Sequence, residues 1–274
     1  MTAITPKKTA EIQPSPEEDY ELLKRAVREA GALAGGYFKQ KVQSFKKPDG
    51  SEVSEADLAV DASLKLDLTT RRKDYGWLSE ESPDDRSRLK HSRVWIIDPI
   101  DGTSAFLRDI PEWTVSAALV EDGVPVLGVV YNPAKEEFFH AMRGHGAFLN
   151  DERIHASGKS TLEGAKMIAS GGLFRKKIWE DPWPEVTAEW VNSVAYRLAL
   201  VACGKGDATI SLTAKAEWDL AAAAVIMDEA GGITTDHRGN THIYNRESPK
   251  FPSLVASGKA LHPALIERTS RIDL

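Results

Sequence analysis

Hydrophobic and polar positions change their period along this chain. Near the start, Leu22, Leu23, Ala26, Val27, Ala30, Leu33 and Ala34 recur at helical spacing. SPEE precedes them. Ser15 can cap, Pro16 suits the first helical position, and Glu18 closes a capping box. Gly35 and Gly36 weaken the far end, and KKPDGSE reads as a turn. SEAD repeats the capping pattern and opens a second helix at Ser54, with Leu58, Leu64 and Leu68 on its apolar side. Residues 1–14 read as a flexible tail.

The middle of the chain loses the helical period. GWL, RVWII, WTVSAALV, VPVLGVVY and EEFFHAM are strand-like runs, separated by the turn chemistry of EDG, NPAKE and RGHG. They predict a mostly antiparallel meander with helices on one face. Beyond about residue 155, strand and helix patterns alternate. AKMIAS, DATISL, GITTD and SLVASG read as strands. SVAYRLALVACG, EWDLAAAAVIMDEAGG and HPALIERTSR read as helices, the first ending at Gly204 and the second at Gly231 and Gly232. Between them, FRKKIWEDPWPEVTAEW reads as an irregular, aromatic-rich surface loop or lid. The class is α/β, with sheets layered against helix pairs. The halves are 15–155 and 156–274, acting as one unit.

Charge and composition narrow the function. A net charge of −6 argues against a general nucleic-acid surface. No apolar run approaches about 18 residues, so no membrane span is expected. With one cysteine, Cys203, no disulfide can form within the chain, and a reducing cytoplasm is the default. Cys203 lies in an apolar helical run and reads as a structural thiol. The seven histidines show no HxH or HExxH spacing. GHGAFL is an incomplete dinucleotide fingerprint and reads better as a hairpin turn.

The candidate chemistry is acidic. In WIIDPIDGTSAF, Asp98 falls at the end of a buried strand, and Pro99 fixes φ and donates no hydrogen bond, so the chain turns there. Asp98 and Asp101 can then converge, with the Ile100 carbonyl between them. Two carboxylates ~4 Å apart repel by roughly 1–4 kcal/mol, so a cation must compensate. Oxygen-only ligands suit Mg²⁺ or Mn²⁺. Gly102, Thr103 and Ser104 follow at a short helix start, where free N–H groups make an anion site. Glu80 and Glu81 follow another short strand, and Asp219 lies in the first turn of the EWDLAAAA helix. Each has an ordinary reading as a solvated turn or a helix-dipole partner, as has Asp57 in its capping box. Taken together, Glu80, Asp98, Asp101 and Asp219 all sit at element ends beside apolar anchors. Such a set could hold two or three divalent ions for phosphoryl transfer to water.

LSEES, WIIDPIDGT, VLGVVYNP, GAFLN and EWDLAAA…EAGG, in this order, resemble the inositol monophosphatase superfamily. The resemblance covers nearly the whole chain after the tail. It implies a layered αβαβα sandwich with a mostly antiparallel N-terminal sheet and a smaller mixed C-terminal sheet, assembled as a homodimer. It implies a Mg²⁺-dependent, lithium-sensitive phosphomonoesterase acting on a small phosphate ester. Glu80, Asp98 and the Ile100 carbonyl would bind one metal; Asp98, Asp101 and Asp219 a second; Glu80 also a looser third. Thr103, paired with Asp57, would help deprotonate the attacking water, and Gly102 and Thr103 would bind phosphate. Leu212 and Arg197 stand where inositol phosphatases tend to carry Glu and Asp. A cation at 197 resembles the 3′(2′),5′-bisphosphate nucleotidase branch, where a second phosphate needs a partner. The alternatives are inositol monophosphate, or a sugar or histidinol phosphate. A rival of another class is a regulatory protein binding an RNA or transcription partner, as in some bacterial relatives.

Overall fold

The computed structural model describes residues 14–274 other than Asp49. The tail expected over 1–14 thus lies, but for Pro14, outside the described residues. Helix α1 (Pro16–Tyr37) begins where its capping box puts it: Glu18 N donates to Ser15 Oγ (3.2 Å) and Ser15 N to Glu18 Oε2 (3.0 Å). Strands β1 (Ser44–Lys46) and β2 (Glu52–Ser54) pair as a hairpin around the KKPDGSE turn and lead into α2 (Glu55–Arg71). In α2 the buried row is Ala56, Val60, Leu64 and Leu68. Leu58, two residues off that row, falls on the opposite side and is 46% exposed, against expectation. Leu33 of α1 is likewise exposed.

Seven strands form the main sheet in chain order: β3 (Gly76–Ser79), β4 (Arg93–Asp101), β5 (Thr114–Glu121), β6 (Val124–Asn132), β7 (Glu137–Met142), β8 (Gly146–Leu149) and β9 (Glu152–Arg153). Only β3 and β4 run parallel. GHGAFL makes the β7–β8 hairpin, with Gly144 and Gly146 both at positive φ. Helices cover both faces, not one. On one side α1 and α2 pack against Trp95, Ile97, Val115 and Val129. On the other, α4 (Val194–Ala202) and α5 (Glu217–Glu229) pack against Ile96, Ala118, Val130 and Phe139. The unbroken apolar runs of β4 and β5 carry this signature: strands buried on both faces lose the alternation of half-exposed ones.

Behind α4 and α5 lies a second sheet, ordered β11 (Val186–Glu189), β10 (Ala165–Ile168), β12 (Ala208–Ser211), β16 (Leu254–Gly258), β14 (Gly232–Thr235). It is parallel across β11, β10 and β12 and antiparallel beyond. Helix α6 (His262–Thr269) packs Leu265 into a third core with Ile210 and Val255. The layers are therefore αβαβα. A two-strand ribbon, β13 (Lys215–Ala216) with β15 (Lys250–Phe251), flanks the start of α5.

The segment expected as a loop or lid is partly regular. Residues 186–189 join the second sheet as its edge strand. Phe174, Trp179 and Trp183 meet edge to face at 4.8 and 4.9 Å and pack on the third core. The pairing partner of VTAE lies about twenty residues earlier, beyond any local pattern.

Candidate metal and phosphate site

The acidic site is built by a defect in β4. Asp98 pairs with Ser116 and Asp101 with Thr114, so three steps on one strand match two on the other. In a regular strand, residues three apart point to opposite faces. The extra residue at Pro99–Ile100, where proline supplies no N–H to the ladder, returns both aspartates to one side. Gly102 then takes φ +97°, and a Cβ there would lie 2.9 Å from the Glu112 carbonyl. Helix α3 (Thr103–Phe106) follows. Its first bonds run from Ala105 N and Phe106 N to Gly102 O, leaving the N–H groups of residues 102–104 outside the helix's own bonding.

Asp219 arrives from the other half, in the first turn of α5, where it accepts from Ala216 N (2.9 Å). Asp98, Asp101 and Asp219 each offer an oxygen within 4.8 Å of the others. At an effective dielectric of ~20, each such pair of charges repels by roughly 3 kcal/mol. Burial is the main force on all three, and it pushes every one of their carboxyls up. Asp98 goes well above the carboxylate range, helped by Glu80, Asp101 and Asp219. Asp219 rises to about 7, helped by Asp101. Asp101 is raised less freely, because its Oδ2 accepts from Ser193 Oγ and Ala195 N, both at 2.6 Å. Its Oδ1 is left for a ligand. Asp98 Oδ1 is buried and accepts no hydrogen bond. Orphaned, mutually repelling oxygens are the donor set of a hard divalent cation, and the residues fit one.

Glu80, the Ile100 backbone, Gly102, Thr103 and Ser104 line the same cavity, of about 470 Å³, with Asp98, Asp101 and Asp219. Thr103 Oγ1 donates to Asp57 Oδ1 (2.8 Å), with the Ile100 carbonyl at 3.1 Å. Asp57 also accepts from Ser54 N (2.8 Å), so its capping and its Thr103 contact coexist. Burial raises its carboxyl too. Of the sequence-derived acids, Glu80, Asp98, Asp101 and Asp219 line this cavity, and Asp57 touches it through Thr103. Glu81 stands behind Glu80. Burial lifts it to about 7, and both glutamates hold Lys47 Nζ at 2.7 Å.

The family model described as "Inositol monophosphatase family" matches residues 15–274. The chain belongs to this family. It is 34% identical to an inositol-1-monophosphatase of Mesorhizobium japonicum, over 85% of this chain and 88% of that one. It is 32% identical to a histidinol-phosphatase of Chlorobaculum parvum, over 90% and 95%. Among solved structures, the extragenic suppressor protein suhB of Bartonella henselae superposes with a TM-score of 0.79 at 28% identity, covering 92% of this chain and 98% of that one. As a family member the chain is a phosphomonoester hydrolase. Among the described residues, no helix is long and apolar enough to cross a membrane.

Arg197 is not on an exposed helix face. It is 5% exposed, and Nε and Nη2 donate to the carbonyls of Val191 (2.6 Å) and Asn192 (3.1 Å). Its guanidinium stacks on Trp190 at 4.0 Å and lies in the field of Asp101 and Asp219. Sequence reasoning missed three residues. Ser193 caps α4 while donating to Asp101. Lys47 sits in a turn that reads only as a turn. Lys215 lies four residues before Asp219, feels the charges of Asp219, Asp101 and Arg197, and among the described residues bonds Thr213 Oγ1 (3.0 Å) and the Ala214 carbonyl (3.1 Å) and no carboxylate. An N-cap signal before the VAYRLAL helix could have flagged Ser193; nothing local marks either lysine. Cys203 behaves as expected: burial raises its thiol, which donates to the Leu200 carbonyl.

Proposed function

We propose that the chain hydrolyses a small phosphate ester carrying a second anionic group, with a nucleoside 3′,5′-bisphosphate as the preferred class, using Mg²⁺ at the acidic cluster. Glu80, Asp98, the Ile100 carbonyl, Asp101 and Asp219 would hold two or three ions. Bound there, divalent cations supply charge neutralisation at the phosphoryl group and lower the pKa of water. The chain's own part is positioning and proton handling. The free N–H groups of Gly102, Thr103 and Ser104 receive the phosphate. Thr103 Oγ1 orients the attacking water and passes its proton towards Asp57, whose carboxyl burial has already raised.

The observation that carries the substrate reading is Lys215. It is a half-buried ammonium in the field of Asp219 and Asp101 that pairs with neither, while Arg197 spends two of its three nitrogens on backbone carbonyls. A cation held this way suits a second phosphate better than an inositol hydroxyl. The relatives' differing names, an inositol-1-monophosphatase and a histidinol-phosphatase, leave the substrate to such contacts.

The test is phosphate release from 3′-phosphoadenosine 5′-phosphate, inositol 1-phosphate, histidinol phosphate and glycerol 2-phosphate, with Mg²⁺ and with added Li⁺. We expect the highest kcat/KM for the bisphosphate and inhibition by Li⁺. Lys215→Met should raise KM for the bisphosphate about tenfold more than for glycerol 2-phosphate, the size of one lost charge-assisted contact. Faster turnover of inositol 1-phosphate than of the bisphosphate defeats the reading.

A further inference from the structure

Glu80 and Asp219 come from different halves of the chain, and a part-buried run of hydrogen bonds joins the segments that carry them. Asp84, four residues after Glu80, accepts from Arg88 Nε (3.1 Å) and Nη2 (2.9 Å). Arg88 is fully buried, its short 3₁₀ turn (Ser87–Lys90) pressed on β3 so closely that a Cβ on Gly76 would lie 3.0 Å from Arg88 Cα. Its other donors cross to the far half: Nη1 to Asn245 Oδ1 (2.7 Å) and Nη2 to the Arg246 carbonyl (2.8 Å). The N–H groups of those same two residues donate to Glu217, at 2.7 and 2.9 Å. Glu217 is also fully buried, two residues before Asp219, and its own N–H donates to the Pro249 carbonyl (3.0 Å). Asn245 holds φ +56°, a left-handed turn that aims its side chain and its N–H at the two charged partners at once.

Taking a guanidinium and a carboxylate fully out of water is poor evidence of stabilisation, because desolvation offsets the attraction. What such a network supplies is a fixed geometry. A cation site split across two halves needs one, since metal–oxygen distances tolerate only about ±0.2 Å.

We propose that Arg88, Asn245 and Glu217 are positioning residues that hold Glu80 and Asp219 at the separation a divalent cation requires. The inference rests on the reading of the acidic cluster as the metal site. It also makes the 244–249 segment, which contributes no ligand, a determinant of metal affinity. Losing partners that orient ligands in this way typically costs about 10–100-fold in affinity.

The test is calorimetric titration of Mn²⁺ into the metal-free full-length protein without substrate, beside thermal melts. Asn245→Gly keeps the left-handed turn and removes the acceptor of Arg88 Nη1, together with the longer Nδ2–H donation to the Arg88 carbonyl (3.4 Å). Glu217→Gln keeps one of two acceptors. Both should weaken Mn²⁺ binding about tenfold, at the low end of that range. Asn245→Asp, which keeps an oxygen for Arg88, should restore it. Leu265→Ala, in the third core, should lower Tm and leave Mn²⁺ affinity unchanged. The proposal fails if Asn245→Gly and Glu217→Gln lower Tm but bind Mn²⁺ like the wild type, or if Leu265→Ala weakens binding as much. A wild-type protein that takes up no Mn²⁺ takes the metal reading down with it; a wild type that binds beside unaffected variants sinks the positioning role alone.

Discussion

The two halves of the molecule contribute to the site in opposite ways. The N-terminal half supplies chemistry from short contiguous stretches. One bulged strand end delivers Asp98, Ile100, Asp101, Gly102 and Thr103, and one capping box delivers Asp57. The C-terminal half supplies single residues from separate elements: Asp219 from α5, Ser193 and Arg197 around α4, Lys215 from a two-residue ribbon strand. The first half can assemble most of a metal and phosphate cradle by local geometry. The second closes it and, on the proposed reading, would set its substrate preference, and it can do so only if long-range packing is right. Damage to the first half should therefore abolish turnover, and damage to the second, Asp219 apart, should change affinity or selectivity.

The largest effect should come from Asp98→Asn. The substitution removes a carboxylate that would hold the proposed metal ions, and metal-held charge stabilisation is worth several kcal/mol. Activity should thus fall at least about a thousandfold. The same change removes the charge of a buried carboxylate that four other acids repel and whose Oδ1 has no partner, so the metal-free variant should melt at or above the wild-type temperature. The Mg²⁺-induced rise in Tm should vanish. A variant that melts well below the wild type without metal would mean that Asp98 is structural, and the contrast between the halves would lose its clearest member.

Thr103→Val sharpens the comparison within the N-terminal half. It removes a hydroxyl that touches Asp57 and leaves the cluster of Asp98, Asp101 and Asp219 intact. A proton relay contributes about 10²–10⁴ in rate. kcat should fall about a hundredfold with Mg²⁺ affinity unchanged, and Thr103→Ser should recover most of it. Equal losses in Mg²⁺ affinity and kcat would place Thr103 among the groups that shape the metal site instead.

How much of this was legible in the sequence follows the same division. The capping boxes at Ser15 and Ser54, the strand that ends in Asp98, and the Gly102 turn are decided within a few residues, and the structure keeps all of them. Both-face burial of the main sheet was written in its unbroken apolar runs, yet the neighbouring helices alone suggested one face. The residues that escaped are those whose role depends on a distant partner. Lys47 is a turn lysine until Glu80 and Glu81 fold against it. Glu217 is an ordinary acid in a first turn until Asn245 and Arg246 donate to it. Arg197 gives no local sign of its burial against Trp190, which only the folded helix shows. VTAE has too few residues to signal a strand without β10 beside it.

The smallest effect concerns stability, and it should fall on the C-terminal half while leaving the metal site alone. His262, at the start of α6, has two hydroxyl partners, Thr235 Oγ1 (3.0 Å) and Ser257 Oγ (3.2 Å). Burial alone depresses it to about 4, and His242 is held at about 4 mainly for the same reason. A histidine whose folded value is depressed binds fewer protons folded than unfolded. Its contribution to stability is complete above about pH 6.5 and is lost as pH falls towards 4, at roughly 1.4 kcal/mol per pH unit for each group. In His262→Gln the fall in unfolding free energy between pH 6.5 and 4 should be shallower by about that slope. Metal affinity at pH 7.5 should be unchanged, since His262 bonds Thr235 and Ser257 of the second sheet and does not line the metal cavity. An identical pH dependence in His262→Gln and wild type would show that this histidine takes up its proton in the fold as readily as in the unfolded chain.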